Sequence, residues 1–467
     1  MVKLSLKQQL KRRASLLLVG IIAPVVLSAC GAPNTPATPL VWWSVFDDSR
    51  VFRDMITAYE EDNNVDIEIV AKSFNTYEDE LITALAAGRG PDIITFHNEW
   101  LPEHRDILTP IPTAADFASV EDSSQRSALE KRANALPALR SFVDSYVDVV
   151  AQDFTSESRI YAVPLYVDSL ALFYNKDMLS TAGFATPPRT WSDFAEVATA
   201  LTFTDAQGTI QRAGAAMGAA RNINRSTDIL SALMIQNGAT SVDDKRQFGT
   251  FNREIERTDG TDYNPGLEAL EFYTSFANPT QSNFSWSIDP TVWYSIDSFA
   301  AGQAAMMINY SHQVEEVRGS NAKLNFAVAP LPQRDDATFD VTYANYWGMA
   351  VSKDSANQIE AWEFINFLAR DDNNLAYLET TGRPPAKRLH IPAFENDLDL
   401  GVFADQAAVA KSFYTPDLNI TETVLADAIE DINLGERDPL DAINVAVSQL
   451  TQELQSRIFP PIGTSGL

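Results

Sequence analysis

The chain has 467 residues, a formal net charge of −28 and a single cysteine. That length suffices for two domains with ordinary hydrophobic cores, and so large an acidic excess argues against nucleic acid and anionic lipid surfaces as partners. With one thiol there is no internal disulfide, so stability has to come from apolar packing.

Lys3, Lys7, Lys11, Arg12 and Arg13 precede an apolar run at 16–27 that is too short for a good membrane span. Residues 1–29 therefore read as a secretory signal and are set aside from fold reasoning. The run ends in LSACG at 27–31, which resembles the lipobox of bacterial lipoproteins. The resemblance implies cleavage before Cys30 and a diacylglyceryl group on its sulfur, and hence an extracytoplasmic protein anchored to the cell membrane. Residues 30–39, small, polar and proline-rich, suit a tether.

From residue 40 the spacing predicts a strand at 40–45, a helix at 50–61, a strand at 65–70, a helix at 77–87 ended by Gly88, and a strand at 92–96. Strands alternating with helices make an α/β fold with a helix-covered parallel sheet. Ligands in such sheets sit at the carboxyl ends of the strands, here 43–48 and 97–100. Further on, 113–157 is mainly helical and 160–174 is apolar and β-rich. Helices are expected at 191–202, 226–237, 264–277, 297–303, 359–369, 421–433 and 438–458. Strands are expected at 304–309, 324–329 and 346–351.

Five blocks carry a family resemblance: LITALAAG at 81–88 with GPDI at 90–93; YAVP at 161–164 running into LFYNKDML at 172–179; FAAGQAAMM at 299–307; APLP at 329–332; and WEFINFL at 362–368. In this order they resemble the family 1 extracellular solute-binding proteins of ABC transporters, the maltose-binding-protein-like group. The resemblance implies a two-lobed periplasmic-binding-protein fold of type II, each lobe a sheet flanked by helices, joined by a multi-crossing hinge. The lobes are expected at 40–167 with 349–386 and at 168–348 with 387–460. Crossings fall near 166–171, near 346–348 and after GRPP at 382–385. Such a protein is a monomer that captures a solute, here a mono- or oligosaccharide, by cleft closure and passes it to ABC permease subunits.

Sugar recognition needs aromatic faces for ring C–H groups and planar polar groups for hydroxyls. The aromatic candidates are Trp43, Trp100, Trp286, Trp293, Tyr310, Tyr346 and Trp347. Trp347, placed beside a crossing, is expected to present its face to the cleft, so that its loss weakens binding and leaves the ligand-free melting temperature nearly unchanged. The polar candidates are Asp47, Asp48, Asn98, Glu99 and Arg383, with Asp168 at a position that the resemblance gives to a sugar-binding acid. Asn309-Tyr310-Ser311-His312 departs from the family's pattern, so maltodextrin specificity does not carry over.

GxSxG, HExxH and a phosphate-binding loop are absent, and His97, His104, His312 and His390 lie at no recognised metal spacing. No enzyme, cofactor or metal is therefore expected. A surface glycoside-active enzyme or a sugar-sensing or adhesion module remains the alternative class.

Overall fold

The computed structural model describes residues 39–458, apart from 48, 258, 259, 290, 292 and 293. The signal segment, Cys30, Asp48 and Trp293 therefore lie outside the described residues.

The expected opening alternation is present. Strand Leu40–Ser44 lies parallel between Ile67–Ala71 and Ile93–His97, with helices Ser49–Asn63 and Tyr77–Ala86 as the connections. Alternate residues of the first strand bury inward (Leu40, Trp42, Ser44), the period-2 pattern of a sheet with one core face. The sheet is not wholly parallel. Trp347–Ser352, expected at 346–351, enters antiparallel beside Ile93–His97 and pairs also with Leu108–Thr109 and Ala162–Pro164. A chain returning from elsewhere in the molecule can join the sheet in the direction its entry imposes, because no local crossover sets its hand. Gly348 allows the close approach: a Cβ there would meet the Phe154 ring at 2.8 Å.

Two hydrophobic cores result. The first gathers Trp42, Phe52, Ile94, Phe96, Val150, Phe154, Met349 and Trp362; the second gathers Phe173, Phe194, Leu230, Tyr273, Trp286, Phe299, Met307 and Ile443. The second is built on the antiparallel sheet Met306–Asn309, Ala171–Asn175, Phe326–Pro330. Side-chain caps start two of its helices: Asn175 accepts from the amides of Asp177 and Met178, and Thr190 from that of Asp193.

Membership passes from the first core to the second between Val167 and Leu170, and back between Tyr343 and Ala344. These segments run side by side. Asp168–Ser169 pairs antiparallel with Thr342–Asn345, and the amide of Val167 donates to the carbonyl of Pro384 at 3.2 Å. Among the described residues, no helix is long and apolar enough to cross a membrane.

Candidate functional site

The strand ends of the first core supply one wall. After Leu40–Ser44 the chain turns, held by Ser44 Oγ donating to the Asp47 carbonyl at 2.6 Å, and leaves Phe46 49% exposed. After Ile67–Ala71 it leaves Phe74 54% exposed. The two rings are 5.8 Å apart, and both stand edge-on to Trp347, at 5.4 and 6.2 Å. Trp347 is only 8% exposed and is wedged on His97 (4.8 Å), Trp100 (5.1 Å) and Tyr77 (6.3 Å). It is thus the floor of an aromatic platform whose exposed faces are Phe46 and Phe74.

Contacts lead from this platform to the second core. His97 Nδ1 accepts from the amide of Glu99, so Nε2 carries the hydrogen toward Asn345 Oδ1 at 3.3 Å. Burial lowers the His97 pKa to about 4, which keeps the ring neutral. Asn345 is the register partner of Asp168. Asp168, buried, accepts from Ser311 Oγ at 2.7 Å and from the amides of Ser311 and Ser169. His312 lies 3.6 Å from the same carboxylate with its side chain 53% exposed, stacked on Tyr310. Tyr310 donates to Asp228 at 2.6 Å, and the Arg225 guanidinium lies 5.6 Å over its ring.

The other sequence candidates have structural partners. Asp47 is gripped by Arg383 (3.0 Å) and accepts from Tyr377 (2.9 Å), while Arg383 lies 4.3 Å over the ring of Tyr166. Gly382, left-handed at φ 63°, ends helix Asp371–Thr381 and turns Arg383 to that position. Asn98 pairs with the Tyr346 backbone in both directions and donates to Asp153. Tyr346, fully buried, donates to Asp153 at 2.9 Å. Glu99 accepts from Tyr343 at 2.5 Å, and burial raises its pKa well above the carboxylate range. The structure does not bring Trp43, Trp100, Trp286, Tyr310 or Tyr346 to the platform's open face; Tyr310 and Tyr346 are fully buried. Trp43 is covered by Lys72, Nζ 3.6 Å from the ring centre. Trp100 is buried against Tyr77. Trp286 lies in the second core with Nε1 on Asn222.

Residues outside the sequence candidates contact them: Phe46 and Phe74 stand on Trp347, His312 lies beside Asp168, and Arg225 lies over Tyr310. The two phenylalanines directly follow strand ends, the position that singled out Asp47, and an aromatic search restricted to Trp and Tyr passes over them.

A separate groove of about 860 Å³ opens between 98–106 with 152–157 and 242–246 with 412–415, walled by Glu99, Asp153, Asp243, Asp244 and Arg246. Burial raises the Asp153 pKa to about 6, against hydrogen bonds from Ser412, Asn98 and Tyr346. A carboxyl raised in the folded state stabilises below its unfolded pKa, and that contribution is lost as pH rises through the folded value. Stability should therefore fall relative to Asp153→Asn between about pH 4 and 6, by about 2 kcal/mol for a half-buried group. Urea denaturation of both proteins at pH 4 and pH 7 checks this. A constant difference contradicts it.

Glu78, Glu103 and His104 bring three potential metal-ligand atoms within 4.8 Å of one another. The group is already engaged: His104 contacts Glu78 at 2.8 Å, Asn419 donates to Glu78, and Arg457 to Glu103. These last two contacts join the two halves of the molecule.

Two cores joined by adjacent crossing segments define a two-lobed fold. The chain belongs to the bacterial extracellular solute-binding protein family, whose model matches residues 43–375. The galactooligosaccharide-binding protein of Bacillus subtilis strain 168 is 22% identical over 465 residues, covering 96% of this chain and 99% of the relative. Among solved structures, the sugar-binding protein MalE from Xanthomonas citri has a TM-score of 0.68 at 20% identity, covering 91% of this chain and all of that one. UgpB from Mycobacterium tuberculosis, in complex with glycerophosphocholine, has a TM-score of 0.69 at 18% identity, covering 91% and 100%.

Proposed function

We propose that this protein is a monomeric extracytoplasmic receptor that binds a mono- or oligosaccharide in the cleft and delivers it to an ABC importer. The exposed Phe46–Phe74 pair over Trp347 carries the reading. Two adjacent exposed aromatic faces are costly to leave in water and suit the apolar C–H face of a sugar ring. Asp168, His312 and Arg225, on the other side, offer acceptors and donors for hydroxyls. Relatives named for galactooligosaccharide and maltodextrin binding support the same class. The cleft carboxylates are engaged in structural hydrogen bonds, which favours binding over hydrolysis. The lobes, 40–167 with 349–386 and 168–348 with 387–460, close about the three crossings.

A thermal-shift screen of mono- and oligosaccharides, polyols and amino acids tests this. A saccharide at a hundred times its dissociation constant should add about 2.7 kcal/mol of stability, and the same saccharide should reduce the radius of gyration in solution scattering. Stabilisation by amino acids alone would contradict the sugar assignment.

Cys30 is the site of the lipid anchor in this account, with 30–39 as its tether. Cys30→Ser should leave the fold intact and release soluble protein or leave the signal uncut. Membrane retention of a correctly cleaved, lipid-free Cys30→Ser protein would refute the anchor.

A further inference from the structure

Arg225 is not explained by folding. Its backbone is left-handed (φ 63°, ψ 31°) immediately before helix Ser226–Gln236, a conformation rarely held by a residue with a side chain. A cation at that helix end also opposes the helix dipole. Its Nε is shielded from solvent and has no hydrogen-bond partner, and the guanidinium lies over the ring of Tyr310. Arg132, Arg383 and Arg457, by contrast, each grip a carboxylate.

What Arg225 lacks is hydrogen-bond acceptors, not counter-charge. Burial works against its charge, yet the nearby carboxyl groups of Asp228, Glu422 and Asp168 favour it, and the balance holds it protonated more firmly than a free arginine. A ligand carboxylate or phosphate would enter a neighbourhood already rich in acids. A hydroxyl oxygen meets the need without adding charge, and its own hydrogen can go to a carboxylate nearby.

We propose that Arg225 anchors the ligand by donating its guanidinium N–H groups to hydroxyl oxygens of a neutral saccharide, and so sets a preference for neutral over acidic sugars. This rests on the saccharide reading of the cleft.

The test is titration calorimetry of the full chain, Arg225→Met, Arg225→Lys and Phe46→Ala with maltotriose, mannotriose, galactobiose and digalacturonate. At least one neutral sugar should bind the unaltered protein, and galactobiose should bind more tightly than digalacturonate. Arg225→Met should weaken neutral-sugar binding at least tenfold without lowering the ligand-free melting temperature. Arg225→Lys should recover only part, since a point charge lacks the planar fork. If Arg225→Met binds normally while Phe46→Ala loses tenfold, the cleft stands and the role of Arg225 is overturned. If neither variant changes binding, or no sugar binds, the cleft reading falls too. Tighter binding of digalacturonate, lost in Arg225→Met, or a large fall in melting temperature for that variant, overturns the neutral-anchor role alone.

Discussion

Replacing Trp347 by alanine is expected to remove about 3–5 kcal/mol of folding stability, the cost of deleting a large core ring. The ring is 8% exposed and holds Phe46, Phe74, Tyr77, His97 and Trp100 in place. This corrects the expectation from sequence that the ligand-free protein would barely notice its loss. Position beside a crossing suggested a ring offered to the cleft; packing shows the ring beneath the rings that are offered. Ligand affinity should fall as well, because Phe46 and Phe74 lose their support. Phe46→Ala separates the two effects. Its ring is half exposed, so stability should change by less than about 1 kcal/mol, whereas affinity should drop at least tenfold. Urea denaturation and calorimetry on both variants check this; equal stability of Trp347→Ala and the unaltered protein would show that the ring is not packed.

Arg383→Met should cost about 3 kcal/mol, because it leaves Asp47 and Tyr377 without their cation in a largely buried site. The two charged side chains are 21% and 15% exposed, so the pair is screened less than a surface salt bridge. Arg383 lies in the GRPP loop at 382–385 and Asp47 follows the first strand, so the pair also ties that loop to the sheet. Asp47→Asn combined with Arg383→Met should cost less than the sum of the single changes, as expected for contacting partners. Additive costs, or a loss under about 1 kcal/mol for Arg383→Met, would show that the pair carries little.

The elements with strong periodicity were legible in the sequence. Strand Leu40–Ser44, helix Tyr77–Ala86 and helix Gln358–Leu368 fall within two residues of expectation. Strand Thr342–Asn345 was not legible: its short mixed run pairs with Asp168–Ser169 and Ala410–Lys411, both remote in sequence. Helix Asp371–Thr381 was also missed, since its two buried large side chains, Tyr377 and Leu378, are adjacent and give no helical repeat. The antiparallel entry of Trp347–Ser352 depends on topology, which local periodicity does not encode. Among the candidates, the family resemblance marked Asp168 and residue type marked Trp347, but a composition rule could not separate a surface tryptophan from Trp286 in the core. Arg225 left no signal in the sequence. Its oddity is a backbone angle and a missing partner, and both exist only once the chain is folded.

The most direct test of the central claim is titration of the protein with neutral oligosaccharides, followed by chromatographic recovery of the bound sugar. The account predicts one saccharide per chain, bound in the cleft, weakened at least tenfold by Phe46→Ala, and recovered intact. Failure of every saccharide to bind, or recovery of shortened products, would contradict it.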